Sequence, residues 1–285
     1  MNDKVEVEGR IFDTMIAHYL LHPDQRHGMD VLSEQYLSYR PISIETLIGK
    51  KGKNQKSMEE LDPKDVKDYA CEDADITFQL YEIFHKEIEG TYLEKLFWDI
   101  EMPLSKVLLE MEREGIGLDV DSLNDFSKEL NEELIKLRSS IVDFAGVEFN
   151  VDSPRQLGEV LFDTLKLDEK AKKTKTGQYK TDEQTLLKLA SKHEIIGQIL
   201  EYRQMKKLKS TYVDALPKLV NSKTNRIHTT YMQTVAATGR LSSNNPNLQN
   251  IPIRSAKGKE IRKSFIARGE DYICLLYTSP SPRDA

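Results

Sequence analysis

The sequence predicts a mixed α/β chain that is predominantly helical. Three observations lead there. Apolar residues recur every three or four positions over long stretches between residues 63 and 144. A hydroxyl residue followed three places later by glutamine marks helix starts at 153 and 181. Strand-like runs and proline-rich turns gather only after residue 226.

The elements follow in order. Asp62 and Pro63 supply an N-cap and a proline at the first helical position. The helix they open runs to Lys86 through Ile76, Leu80, Ile83 and Phe84. A second starts near Pro103, carries Leu104, Val107, Leu108 and Met111, and stops at Gly115. A long third shows Leu123, Phe126, Leu130, Leu134, Leu137, Ile141 and Phe144, the stripe of an amphipathic rod. Capping boxes at Ser153–Gln156 and Thr181–Gln184 open two more, through Leu157, Val160 and Leu161 and through Leu186 and Leu189. Between them KAKKTKTGQYK, residues 170–180, reads as a basic, glycine-containing loop. After Lys209 the helices give way to strand-like runs, Ile227–Thr230 and Tyr272–Leu276, around a loop rich in proline and asparagine.

Charge divides the chain. The net of -6 conceals 19 Lys+Arg against 38 Asp+Glu in residues 1–169, and 21 against 6 in residues 170–268. The basic part is suited to a polyanion, the alternative being a solvated lysine-rich face. Cys71 and Cys274 lack CxxC spacing and read as ordinary apolar residues of a reducing compartment. No apolar run approaches the ~18 residues of a membrane span. The polar start MNDKVEVEGR does not read as a signal peptide.

The densest chemistry lies in TVAATGRLSSNNPNLQNIPIRSAKGKEIRKSF, residues 234–265. Gly239 permits a tight turn and Arg240 follows it. The amides of Asn247, Gln249 and Asn250 are held between Pro246 and Pro252, and Arg254 begins a run of positive charge. Amides read base or sugar edges, and arginines take phosphates or minor-groove acceptors. On the segment 201–217, Arg203, Lys206, Lys207 and Lys209 recur at helical spacings that suit phosphate contact. Further upstream, Tyr69 and Asp73 stand at i and i+4, on one helix face. An aspartate there can hold a divalent cation, and a tyrosine can orient an attacking water.

The motif T-G-R-L-S-S followed by P-N-L-Q-N-I-P and an arginine resembles the entrance to the palm of family A DNA polymerases, of the bacterial DNA polymerase I type. The likeness extends over nearly the whole chain. It implies that Arg240 contacts the minor-groove side of the primer end, and that Asn247, Gln249 and Asn250 approach the template–primer. It places Arg254 near the incoming nucleotide. EYRQMKKLKSTYVDALP is similar to the thumb–palm junction, which makes 170–180 the thumb tip. DYACEDADITFQLY, residues 68–81, resembles the third motif of the 3′–5′ proofreading exonuclease, supported by FDTMIAHYLLHP and residues 50–55.

The resemblance implies a partial ribonuclease H-like exonuclease domain in 1–90, connecting helices and thumb in 91–225, and the first part of a palm sheet in 226–276. Residues 277–285 depart from the family pattern and read as a disordered tail. It also implies primer–template duplex as partner, deoxynucleoside triphosphates as substrates and two-metal Mg2+ chemistry, in a monomer of the bacterial cytoplasm and nucleoid. The family's D-x-E and N-x-x-x-D exonuclease motifs are not found here, so Asp73 lacks its partners. The palm aspartate of D-Y-S-Q-I-E-L-R falls at Thr278. The chain is therefore expected to be a fragment inactive alone. The other readings are a non-catalytic duplex-binding module and a stand-alone exonuclease of the ribonuclease D type.

Overall fold

A computed structural model describes residues 9–52 and 54–269. Tyr272–Leu276, Thr278, Cys274 and the tail 277–285 lie outside these. The chain forms two compact units, neither contiguous. The first comprises residues 1–114 and 229–249, the second 115–228 and 250–285.

The first unit holds α1 (Thr14–Leu21), α2 (Met29–Leu32), α3 (Glu45–Ile48), α4 (Pro63–Ile88), α5 (Tyr92–Leu96) and α6 (Met102–Glu114). Asp13 caps α1 by accepting from the amides of Met15 and Ile16, at 2.8 and 3.0 Å. Asp62 caps α4 through the Lys64 amide, with Pro63 at the first turn, and the helix runs two residues past the expected end. Ile76, Leu80, Phe84 and Ile88, four apart, are its buried face. They pack with Ile16, Ala17, Leu32, Phe97 and Met102 into one core. Each large side chain so buried contributes roughly 1.5–3 kcal/mol, which offsets the ordering of a 26-residue helix.

A hairpin completes this unit, with strand Thr230–Met232 antiparallel to Ser242–Asn244. Glu112 of α6 accepts from the Tyr231 amide at 2.6 Å, and Gln233 donates to Glu101 at 2.7 Å. The expected strand Ile227–Thr230 is thus two strands. Residues 226–227 pair in the second unit, and Thr230 begins the hairpin in the first.

The second unit holds α7 (Val120–Ala145), α8 (Pro154–Glu159), α9 (Glu183–Leu187), α10 (Ile195–Leu208) and α11 (Ala256–Lys263). Long α7 packs along α10. Leu123, Leu130, Leu134 and Ile141 supply its buried stripe, and Ile195, Ile196, Ile199, Tyr202, Met205 and Leu208 that of α10. A three-stranded antiparallel sheet puts Ile116–Leu118 between Arg226–Ile227 and Phe265–Ile266.

Four expectations change. Thr181 does not cap α9. Asp182 does, accepting from the Thr185 amide at 3.0 Å, because Thr181 is occupied by Arg203. Ser153 caps α8 as expected, but Gln156 reaches the Asn150 amide and leaves its box half made. Residues 256–263 form a helix where a loop was expected, because only Ile261 among its side chains is apolar and buried and no period shows. Cys71 is exposed rather than apolar packing.

Candidate nucleic-acid interface

In the first unit the T-G-R stretch forms a turn. The Gly239 amide donates to the Ala236 carbonyl at 3.1 Å, and Gly239 has φ of 73°, a backbone region open to glycine at no steric cost. Tyr19 of α1 closes the turn from below. Its hydroxyl donates to the Ala236 carbonyl at 2.8 Å and accepts from the Gly239 amide at 3.1 Å. Arg240, next in sequence, is exposed.

The following residues are fixed by a buried hydroxyl pair. Thr229 Oγ1 and Ser243 Oγ lie 2.7 Å apart, and Thr229 also donates to the Pro246 carbonyl at 2.8 Å. Ser243 takes the Leu248 amide at 3.1 Å, while its own amide donates to the side-chain oxygen of Gln249 at 3.2 Å. Asn247 accepts from the Gln249 amide at 3.0 Å. Asn247 and Gln249 are exposed, yet each commits its amide oxygen to shaping the loop. Asn250 and Arg254, also exposed, belong to the second unit. There Tyr212 donates to the Asn250 carbonyl at 2.5 Å. Arg262 of α11 reaches back to the carbonyls of Ile251 and Pro252, at 3.0 and 3.3 Å. It braces the segment that leads to Arg254.

Arg203, Lys206 and Lys207 lie on α10 and Lys209 caps its end, and three of these four basic residues already hold acceptors within the chain. Arg203 is half-buried and donates to the Thr181 carbonyl and hydroxyl. Burial pulls its pKa down, against the opposing pull of Asp152 and Asp182. Lys209 pairs with Asp214 at 2.7 Å, and Ser127 donates to the same carboxylate. Burial disfavours the charged Asp214, but these bonds outweigh it and hold its pKa low. Lys206 pairs with Asp152, which raises the lysine's pKa. Lys207 is exposed and, among the described residues, has no ion-pair partner. Helical spacing showed which residues share a helix; the acceptors that occupy them come from elsewhere in the chain.

The 170–180 stretch is a tight antiparallel turn. Lys173 bridges Tyr179, and the Lys180 amide donates to the Lys172 carbonyl at 2.9 Å. Tyr179 anchors it, donating to Asp163 at 2.6 Å with its ring 4.9 Å from that of Phe162.

Tyr69 and Asp73 share one face of α4, as the spacing predicts. Burial and the neighbouring Asp73 carboxylate hold the Tyr69 phenol above its ordinary pKa. Asp73 Oδ1 is buried with no hydrogen-bond partner among the described residues. An orphaned carboxylate oxygen suits a cation ligand. However, no group of three or more His, Cys, Asp or Glu among the described residues could hold a metal. One oxygen does not make a two-metal site. The bracing roles of Tyr19, Ser243 and Arg262 escaped sequence reasoning, which read Arg262 only as part of the positive run, because each acts on backbone groups with no spacing signature.

Residues 120–278 match the family described as DNA polymerase family A, and residues 2–89 match 3'-5' exonuclease. DNA polymerase I of Pseudomonas aeruginosa is 44% identical over 266 residues, covering 92% of this chain and 29% of that protein. DNA polymerase I of Borreliella burgdorferi is 46% identical over 256 residues, covering 89% and 27%. This chain therefore spans less than a third of the length of these relatives. Among solved structures, the POL domain of Pol1 from M. smegmatis, in complex with DNA primer-template and dNTP, aligns with a TM-score of 0.71 at 36% identity. That alignment covers 92% of this chain and 42% of that one. With its polymerase match spanning more than half its length, the chain belongs to DNA polymerase family A.

Proposed function

We propose that this chain is the part of a DNA-directed DNA polymerase that grips primer–template duplex. In the whole enzyme, the primer 3′-hydroxyl attacks the α-phosphate of a deoxynucleoside triphosphate and pyrophosphate leaves. The described residues align the duplex for that step. Arg240 lies against the minor-groove side of the primer end, and Asn247, Gln249 and Asn250 approach the template–primer. Lys207 and the 170–180 turn track phosphates, and Arg254 stands near the incoming nucleotide. Residues 1–90 are assigned to an exonuclease domain, 91–225 to connecting helices and thumb, and 226–276 to the palm. The enzyme works as a monomer at the bacterial nucleoid.

The observation that carries this reading is the pinned T-G-R turn, an exposed arginine on a loop held by buried hydroxyls. A structurally similar domain is in complex with DNA primer-template and dNTP. A second reading, a duplex-binding module without catalysis, draws on exposed basic residues such as Lys207 and Arg240, which suit phosphate contact and require no chemistry.

Duplex binding at two salt concentrations, beside primer extension on a recessed template, tests both. Binding that falls steeply with salt is expected, each lost phosphate contact reducing the log–log slope by about 0.9. Extension selects the enzyme reading for the chain alone, and binding without extension selects the module. Affinity indifferent to salt sinks both.

A further inference from the structure

We infer that Tyr19 is a positioning residue for Arg240, so that the exonuclease-like segment sets the primer-end contact of the polymerase-like segment. This rests on the proposed role of Arg240. Tyr19 lies in the stretch matching 3'-5' exonuclease, and the turn it holds lies in the stretch matching DNA polymerase family A. The two are 217 and 220 residues apart in sequence at their hydrogen bonds, yet both fall in the first compact unit.

The geometry is closed. The Tyr19 hydroxyl both donates and accepts, at 2.8 and 3.1 Å, to the two groups that define the turn. The same Gly239 amide also donates to the Ala236 carbonyl, so three polar groups satisfy one another. The tyrosine is itself fixed. Its side chain is buried, its ring meets the His27 ring edge-on at 5.6 Å, and α1 is capped by Asp13. A residue with φ of 73° flanked by exposed positions would otherwise be free to sample other conformations. Held from below, Gly239 delivers Arg240 in one direction. Neither half of the chain contains both parts of this arrangement.

Tyr19→Phe removes the hydroxyl and keeps the ring. Hydrogen exchange at the Gly239 amide is expected to speed up, with the thermal midpoint nearly unchanged. Affinity of the full chain for a labelled primer–template should fall about five-fold, the scale of one net hydrogen bond. In an Arg240→Ala background the same change should cost no further affinity, because the group being positioned is gone. Unchanged exchange at Gly239 overturns the inference, as do losses that simply multiply in the double variant. A wild-type chain that fails to bind primer–template sinks the functional reading instead, and the exchange rate still decides whether Tyr19 holds the turn.

Discussion

The Nδ1 atoms of His18 and His27 lie 2.8 Å apart inside the first unit, so one ring donates its proton and the other accepts it. His18 is fully buried, and its Nε2 has no partner among the described residues. Burial first, then His27 and His22, lower its pKa from 6.5 to about 4. Burial, then His22, also lowers that of His27.

A pH dependence follows. The folded state holds His18 neutral, whereas the unfolded chain protonates it below about 6.5. The unfolded state therefore binds more protons between these values, and stability falls as pH drops from 6.5 toward 4. The loss from this group is about 2–3 kcal/mol over that window. Denaturant melts at pH 7.5 and 5 should show it. In a His27→Gln variant the difference should shrink, and an equal difference in both proteins would count against the pair as its source.

On α10 the basic residues should separate by role. Arg203→Ala removes a half-buried guanidinium that satisfies Thr181, and should destabilise the protein by about 1–3 kcal/mol with little change in the salt slope of duplex binding. Lys207→Ala should do the reverse, leaving stability alone and lowering the slope by about one. Melting and a salt titration of both variants distinguish them.

Gly258 should tolerate no side chain. A Cβ there would stand 2.7 Å from Pro252 Cβ and 2.8 Å from the Pro252 carbonyl oxygen. Gly258→Ala must push α11 from the Ile-Pro segment and should cost about 1–3 kcal/mol. A thermal midpoint equal to wild type would mean that the segment yields freely.

Asp73→Ala should be nearly neutral, within about 1 kcal/mol, because the lost hydrogen bond to Tyr69 is offset by removal of the desolvated, unpartnered Oδ1. A clear destabilisation in a denaturant melt would show that the carboxylate is structural. Stabilisation would mark a residue kept for chemistry at a cost to the fold.

The long helices were legible because each carries a cap and a full apolar stripe. The Asp62-Pro63 start and the four-residue spacing from Ile76 to Ile88 announced α4 directly. Helix α11 was illegible because it buries one apolar side chain and Gly258. The strand break between Ile227 and Thr230 was hidden too, since pairing partners lie more than a hundred residues away at Ile116 or a loop later at Asn244. At the site, residue types were legible and employment was not. Nothing in the spacing of Arg203 and Lys209 reveals that Thr181 and Asp214 already hold them.

The interleaving of the two units imposes an order on synthesis. Residues 229–249 complete the first unit, yet they emerge from the ribosome only after the stretch 115–228. Glu112 waits for the Tyr231 amide, and Tyr19 for Gly239, through that whole interval. The nascent N-terminal unit thus cannot close early, and its closure carries the entropy of a loop longer than a hundred residues. An expression strategy that divides the chain at residue 114 would release a first unit without its hairpin.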